Sequence, residues 1–131
     1  MSDFKKLKVW RKAHALSLNV HRTTRAIRGA EYVSLRSQLI RSAMSIPANI
    51  VEGSGQESRR EFGRFIGFAL HSARELEYHL LVARDIGAMK AGEAASLLAQ
   101  TIGVSKMLYA LLKHVRSTLS SHTPASPGVV T

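Results

Sequence analysis

Apolar residues recur along most of the chain at alternating spacings of three and four, the repeat of a helix with one buried face; no segment shows the period of two that marks a strand. The first run is Val9, Ala13, Leu16, Val20, Thr23 and Ile27, with Gly29 placed to stop it. A second run, Leu35, Leu39, Ala43, Ile46 and Ile50, has Ser34 as its expected N-cap and Gly53 as its expected left-handed close. Pro47 lies inside it, removing one backbone donor and crowding the carbonyl four residues earlier, so a kink or local break is expected between Ala43 and Pro47. Ser58 and Glu61 form a capping box that opens a third helix, and Phe62, Ile66, Ala69, Ala73, Leu76, Leu80 and Ala83 carry the pattern up to Gly87. At about 1.5 Å per residue that helix is roughly 40 Å long.

The fourth helix is expected to start between Lys90 and Ala94 and to run to about Leu119. Leu98, Thr101, Ser105, Leu108, Leu112 and Val115 form its most regular seam. Leu97, Val104, Met107 and Leu111 flank that seam on one side, and Ile102 and Tyr109 on the other. The apolar arc spans roughly 220°, against about 100° for an ordinary surface helix. Such a surplus predicts self-association through the fourth helix, with the third as a further contributor.

Short connections between four helical runs predict an all-α, antiparallel up-down-up-down four-helix bundle with the second helix kinked at Pro47. A chain of 131 residues suffices for one such domain, placed at residues 1–119. Residues 120–131 hold Ser, Thr, Pro, Gly and small apolar types with no charge apart from a histidine, and are expected to be a disordered tail. The absence of cysteine excludes disulfides, thiolate metal sites, iron–sulfur clusters and cysteine nucleophiles. No unbroken run approaches the roughly 18 apolar residues of a membrane span, and the first residues are not those of a signal peptide. A cytoplasmic location without membrane association is therefore expected, and no cofactor is implied.

Charge sharpens this picture. Nineteen Lys and Arg against nine Asp and Glu leave a formal net charge of +10. Residues 29–87 are balanced, so the excess belongs to the first and fourth helices, which are neighbours in a simple bundle. Their merged basic surface suits RNA or DNA phosphates. The expected contacts are Lys5, Lys6, Lys8, Arg11, Lys12, Arg22, Arg25 and Arg28, with Lys113 and Arg116 as a second set. Aromatic residues are too few for stacking on single strands to be the main mode, and Trp10 and Tyr109 fit core or interface positions equally well.

On the second helix Gln38, Arg41, Ser45, Asn49 and Glu52 share one face, which predicts a partly buried structural network reaching Ser72 and Glu75 on the third helix. Glu75 is the expected counter-charge of Arg41. Read with Ser42, Ala43, Ile46, Pro47, Ile50, Gly53 and Gly55, this stretch resembles the four-helix-bundle family of 23S rRNA intervening-sequence proteins. The likeness continues through Phe4, Leu7, Val9 and Trp10, then Glu61, Phe62, Phe65, Ala69, Ser72, Glu75 and Leu76, and more faintly Lys106, Met107 and Leu108. It covers roughly residues 4–115. The resemblance implies a small bacterial protein forming a homopentameric barrel, often encoded within insertions in 23S rRNA genes. A related branch, the accessory variability determinant of diversity-generating retroelements, implies nucleic-acid binding and a reverse transcriptase as partner. The family carries no accepted catalytic set. The combined expectation is a non-enzymatic basic oligomeric scaffold for nucleic acid, with a helical HEPN-like ribonuclease or a purely protein-binding module as the alternatives.

Three enzyme-like constellations compete with that expectation. Gly53-Ser54-Gly55 lacks the ending and the preceding strand of a phosphate loop and reads as a helix-helix turn. His71, Glu75 and His79 share a helix face, but the first and fourth helices lack the carboxylates needed to complete a di-iron set, so no metal is expected. Arg74 with His79, and Arg116 with His122, match the arginine–histidine spacing of HEPN ribonucleases, where imidazole acts as base and guanidinium steadies phosphate charge. His122 falls in the expected tail, and bundle packing already explains the pattern around Arg74 and His79. A membrane-surface role for the first helix is disfavoured by its modest apolar face, with Ala13 and Thr23 in it.

Overall fold

The computed structural model describes residues 3–122 and contains four α-helices: α1 (Lys8–Thr24), α2 (Val33–Ser54), α3 (Arg59–Asp85) and α4 (Ala91–His122). Short 3-10 turns occupy Phe4–Lys6 and Ala30–Tyr32, and no strand occurs among the described residues. Each helix packs on its chain neighbours and α1 returns against α4, so the helices close around one apolar core.

Helix α1 buries Val9, Ala13, Leu16 and Val20 as the spacing requires, but it ends at Thr24, before Gly29. Thr24 rather than Thr23 is the buried residue, because its hydroxyl donates to the carbonyls of Val20 and His21 and so satisfies itself inside the core. Gly29 turns the chain between helices at φ 113°, and Arg36 clasps that turn by donating to the carbonyls of Ile27 and Gly29 at 2.9 and 3.1 Å.

Helix α2 differs from expectation at both ends. It begins at Val33, continuing from the preceding 3-10 turn, so Ser34 lies inside the first turn and does not cap it. Of the kink or local break expected at Pro47, a break does not occur: the helix runs on through Pro47, which is itself buried. Gly53 is helical, since only Gly29 and Gly87 have positive φ among the described residues. Its role is spatial: a Cβ there would lie 3.0 Å from the Phe65 Cβ and 3.3 Å from the Phe62 carbonyl oxygen. The two backbones meet at this point because one of them carries no side chain.

Helix α3 follows its periodicity throughout: Phe62, Ile66, Ala69, Ala73, Leu76, Leu80 and Ala83 are all buried. Ser58 Oγ accepts from the Glu61 N–H at 3.1 Å, while the Glu61 carboxylate accepts from Arg64 Nε at 3.2 Å, so the hydroxyl half of the capping box forms. The helix closes in a Schellman motif, with the Ala88 N–H donating to the Ala83 carbonyl at 2.9 Å and the Gly87 N–H to the Arg84 carbonyl at 3.1 Å. Gly87 supplies the required φ of 74°.

Helix α4 is rotated from its expected seam. Ala94, Leu97, Thr101, Val104, Leu108, Leu112 and Val115 are buried, whereas Leu98 and Ser105 are half-buried. Ile102 and Tyr109 remain 40% and 60% exposed, so part of the surplus apolar arc faces outward. Thr101 enters the core by donating its hydroxyl to the Leu97 carbonyl at 2.7 Å. The helix continues to His122, past the expected limit at Leu119, and the rest of the expected tail lies outside the described residues. By length and composition Ala91–Leu119 would also suffice to cross a membrane, although charged and polar residues interrupt its apolar run; here it packs along α1 and α3.

Candidate nucleic-acid interface

Lys5 and Lys6 sit in the first 3-10 turn, whose cap is Asp3 accepting from the Lys5 N–H at 3.0 Å. Arg11 Nη1 donates to the Lys5 carbonyl at 3.0 Å and ties that turn to α1. Arg22 donates to Asn19 Oδ1 at 3.1 Å, and Asn19 Nδ2 in turn donates to Gln100 Oε1 at 2.8 Å, bridging α1 to α4. Counting equally backward and forward from that bridge in antiparallel register sets Lys8 level with Leu111. Lys5, Lys6, Lys8, Arg11 and Lys12 therefore share one end of the bundle with Lys113 and Arg116. Arg22, Arg25 and Arg28 lie toward the other end of α1. All of these side chains are exposed, and none forms an ion pair among the described residues. The first and fourth helices thus present a predominantly positive edge, on which Asp3 caps the Lys5 turn and Glu93 of α4 shares a recess with Arg22, but no carboxylate forms an ion pair with these cations among the described residues.

Beside this edge is an aromatic array that charge and periodicity alone do not reveal. The Phe4 ring meets Trp10 edge-on at 4.9 Å, and Trp10 stacks on His14 at 4.9 Å with 7° between the planes. Trp10 and His14 border an apolar groove of about 450 Å³ between α1 and α2, formed further along by Leu18, Met44, Ala48 and Val51.

The polar stripe on α2 forms, but less buried than expected. Arg41 Nη2 donates to Glu75 Oε2 at 2.5 Å and to Gln38 Oε1 at 2.8 Å, with the Arg41 and Glu75 side chains 52% and 41% exposed. Deeper in the seam, Ser45 and Ser72 share a 2.8 Å hydrogen bond, and Asn49 Nδ2 donates to the Ser45 carbonyl at 2.8 Å. Glu52 stands apart, exposed, with its backbone carbonyl accepting from Gln56 Nε2 at 3.2 Å. Sequence spacing finds the partners because residues three and four apart share a face; it cannot tell that the face lies at the rim of the α2–α3 contact.

Of the enzyme-like constellations, the Arg116–His122 pair lies outside the described residues through the His122 side chain, and the others can be placed. Arg74 lines a cleft between α3 and α4, while His79 lies 3.9 Å from Glu75, the residue paired with Arg41 of α2. Arg74 and His79 therefore occupy different flanks of α3. No group of three or more metal-ligating side chains is found among the described residues. Gly53 and Ser54 belong to the last turn of α2 and Gly55 is its C-cap, a helix end rather than a phosphate loop.

Fold and seam together define a small basic four-helix bundle whose distinctive polar residues join α2 to α3. The sequence model of the 23S rRNA-intervening sequence protein family matches residues 5–110, and the chain belongs to that family. The same architecture occurs in the crystal structure of a protein of unknown function from the S23 ribosomal protein family of Bacteroides thetaiotaomicron. That structure has a TM-score of 0.76 and 24% identity, covering 80% of this chain and 98% of that one. No curated protein matches the chain.

Proposed function

We propose that the protein is a non-enzymatic, self-associating scaffold that binds RNA or DNA through backbone phosphates. The observation that carries this reading is the predominantly positive edge: exposed Lys and Arg side chains on α1 and the end of α4 that form no ion pair among the described residues. The family name refers to intervening sequences of 23S rRNA and the Bacteroides relative's to ribosomal proteins, which makes ribosomal RNA the first polyanion to test. A reverse transcriptase is the partner for the retroelement branch. Self-association is supported by the apolar surface left uncovered: Ile102 and Tyr109 on α4, and Leu18 and Met44, 41% and 57% exposed, along the α1–α2 groove; the number five is what the family resemblance implies. These surfaces lie on different sides of the bundle, which suits head-to-tail packing into a ring. The separation of Arg74 from His79 on α3 speaks for a scaffold over a ribonuclease.

The test combines light scattering with fluorescence anisotropy on RNA and DNA of mixed sequence across a salt series. An oligomer is expected, with log affinity falling linearly as log salt rises and affinity dropping when Arg11, Arg22 and Arg25 become Ala. A monomer would remove the assembly; absence of binding even at low salt would remove the nucleic-acid reading.

A further inference from the structure

The cations of α1 stand in two blocks along the flank that borders α4. Lys8, Lys12, Ala15, Asn19 and Arg22 recur at spacings of four and three and share that flank, with Arg11 and Arg25 at its outward margin. Ala15 and Asn19 leave an uncharged gap in the middle. The facing side of α4 leaves the same gap. Gln100, Gly103 and Met107 border one shallow recess with Lys12 and Ala15, of about 410 Å³, and Ser96 and Gln100 border the next with Asn19 and Arg22, of about 460 Å³. Helix α4 adds no cation to either recess and one carboxylate, Glu93, at the Arg22 end. The apolar surfaces available for contacts between copies lie elsewhere: Leu18 in the groove toward α2, Ile102 and Tyr109 in the cleft toward α3.

At about 1.5 Å per residue the blocks are about 15 Å apart from Lys12 to Arg22, and about 20 Å apart between their centres. A flexible single strand, whose phosphates follow cations wherever they stand, gains nothing from such a gap. Two strands held at a fixed distance do. A wide duplex groove, about 12 Å across with roughly 6 Å more for the phosphates on its rims, sets facing phosphorus atoms about 18 Å apart, within the span of the blocks. Each block then meets one rim, and the uncharged middle lies over the groove. Ala15 and Gly103 keep that middle low, so it does not reach the floor of the B-form DNA major groove, about 8.5 Å deep. The minor groove of A-form RNA is wide and shallow, and it presents ribose 2′-hydroxyls near its surface. Asn19 and Gln100 stand at the centre of the gap to meet them. Asn19 Nδ2 donates one N–H to Gln100 Oε1 at 2.8 Å and Gln100 Nε2 donates one to Ser96 Oγ at 3.2 Å, so each amide keeps a second N–H.

We propose that the α1–α4 flank straddles the minor groove of double-stranded RNA. Lys8, Arg11 and Lys12 take the phosphates of one strand, Arg22 and Arg25 those of the other, and the Asn19 and Gln100 amides the 2′-hydroxyls between them. This rests on the reading of the same edge as a phosphate-binding surface and names the form of nucleic acid that it takes. Glu93, beside Arg22, opposes the second strand, and its removal strengthens the grip.

Fluorescence anisotropy of the full chain at one salt concentration compares an RNA duplex of about 20 base pairs, the DNA duplex of the same sequence and one RNA strand alone. The RNA duplex is expected to bind about tenfold more tightly than either of the others. Gly103→Leu fills the gap at a position where a Cβ meets nothing within 4 Å, so the fold accommodates it. That substitution is expected to weaken the RNA duplex about tenfold and to leave the single strand unchanged, while Glu93→Gln strengthens the duplex about threefold. Equal binding of duplex and single strand, equal binding of DNA and RNA duplexes, or a Gly103→Leu effect shared by the single strand overturns the proposal and leaves the phosphate edge standing. Absence of binding to all three probes at low salt removes the edge itself, and the proposal with it.

Discussion

Placing a methyl group on Gly53 would bring it to 3.0 Å from the Phe65 Cβ, where neither helix backbone can move without disturbing the α2–α3 contact. Gly→Ala inside a helix ordinarily stabilises by about 1 kcal/mol. Here overpacking outweighs that gain, and Gly53→Ala is expected to destabilise the fold by about 1–3 kcal/mol in urea denaturation. Gly67, in the interior of α3 with nothing within 4 Å of its would-be Cβ, is the control. Gly67→Ala is expected to stabilise by about 0.5–1 kcal/mol, and equal effects at the two positions would show that packing at Gly53 is not the cause. Sequence position places both glycines on helical runs. Distinguishing a left-handed cap from a close approach requires the neighbouring helix, and Gly53 is read wrongly without it.

Among the elements, α3 is the most legible because each of its core positions falls on one narrow stripe at unbroken three-four spacing, although Phe68 and Tyr78 off that stripe stay exposed. Leu76, fully buried at its centre, is expected to cost about 2–5 kcal/mol when replaced by Ala, measured by thermal or urea unfolding. A loss below 1 kcal/mol would mean that α3 is not the central stave of the core. Helix α4 is harder to read for the opposite reason. Apolar residues cover more than half of its circumference, so several seams are almost equally regular, and contacts with α1 and α3 select the one through Leu97 and Val104. The Arg41–Glu75 pair shows a third case, with the partner foreseen and the burial not. Because both side chains stay about half exposed, solvent screens them, and a double-mutant cycle on Arg41→Ala and Glu75→Ala is expected to return only about 0.2–1 kcal/mol. A coupling of several kcal/mol would require the pair to be covered in the assembled protein.

For the molecule as a whole, charge distribution matters more than total charge. Each phosphate contact removed from the basic edge is expected to flatten the plot of log affinity against log salt by about 0.9 for duplex DNA. Replacing Lys113 and Arg116 by Ala should therefore change the slope if α4 shares in the contact, and leave it unaltered if α1 acts alone; parallel salt titrations of the two proteins decide between them. The Asn19–Gln100 bridge holds α1 beside α4, so their charges lie along one edge while α2 and α3 together are close to neutral. Such a bundle has a large electric dipole across its long axis. In the field of a polyanion it experiences a torque before it makes any contact, and collisions begin already oriented with the α1–α4 edge leading. The neutral flank then trails toward solvent, free to meet another molecule while the leading edge is occupied.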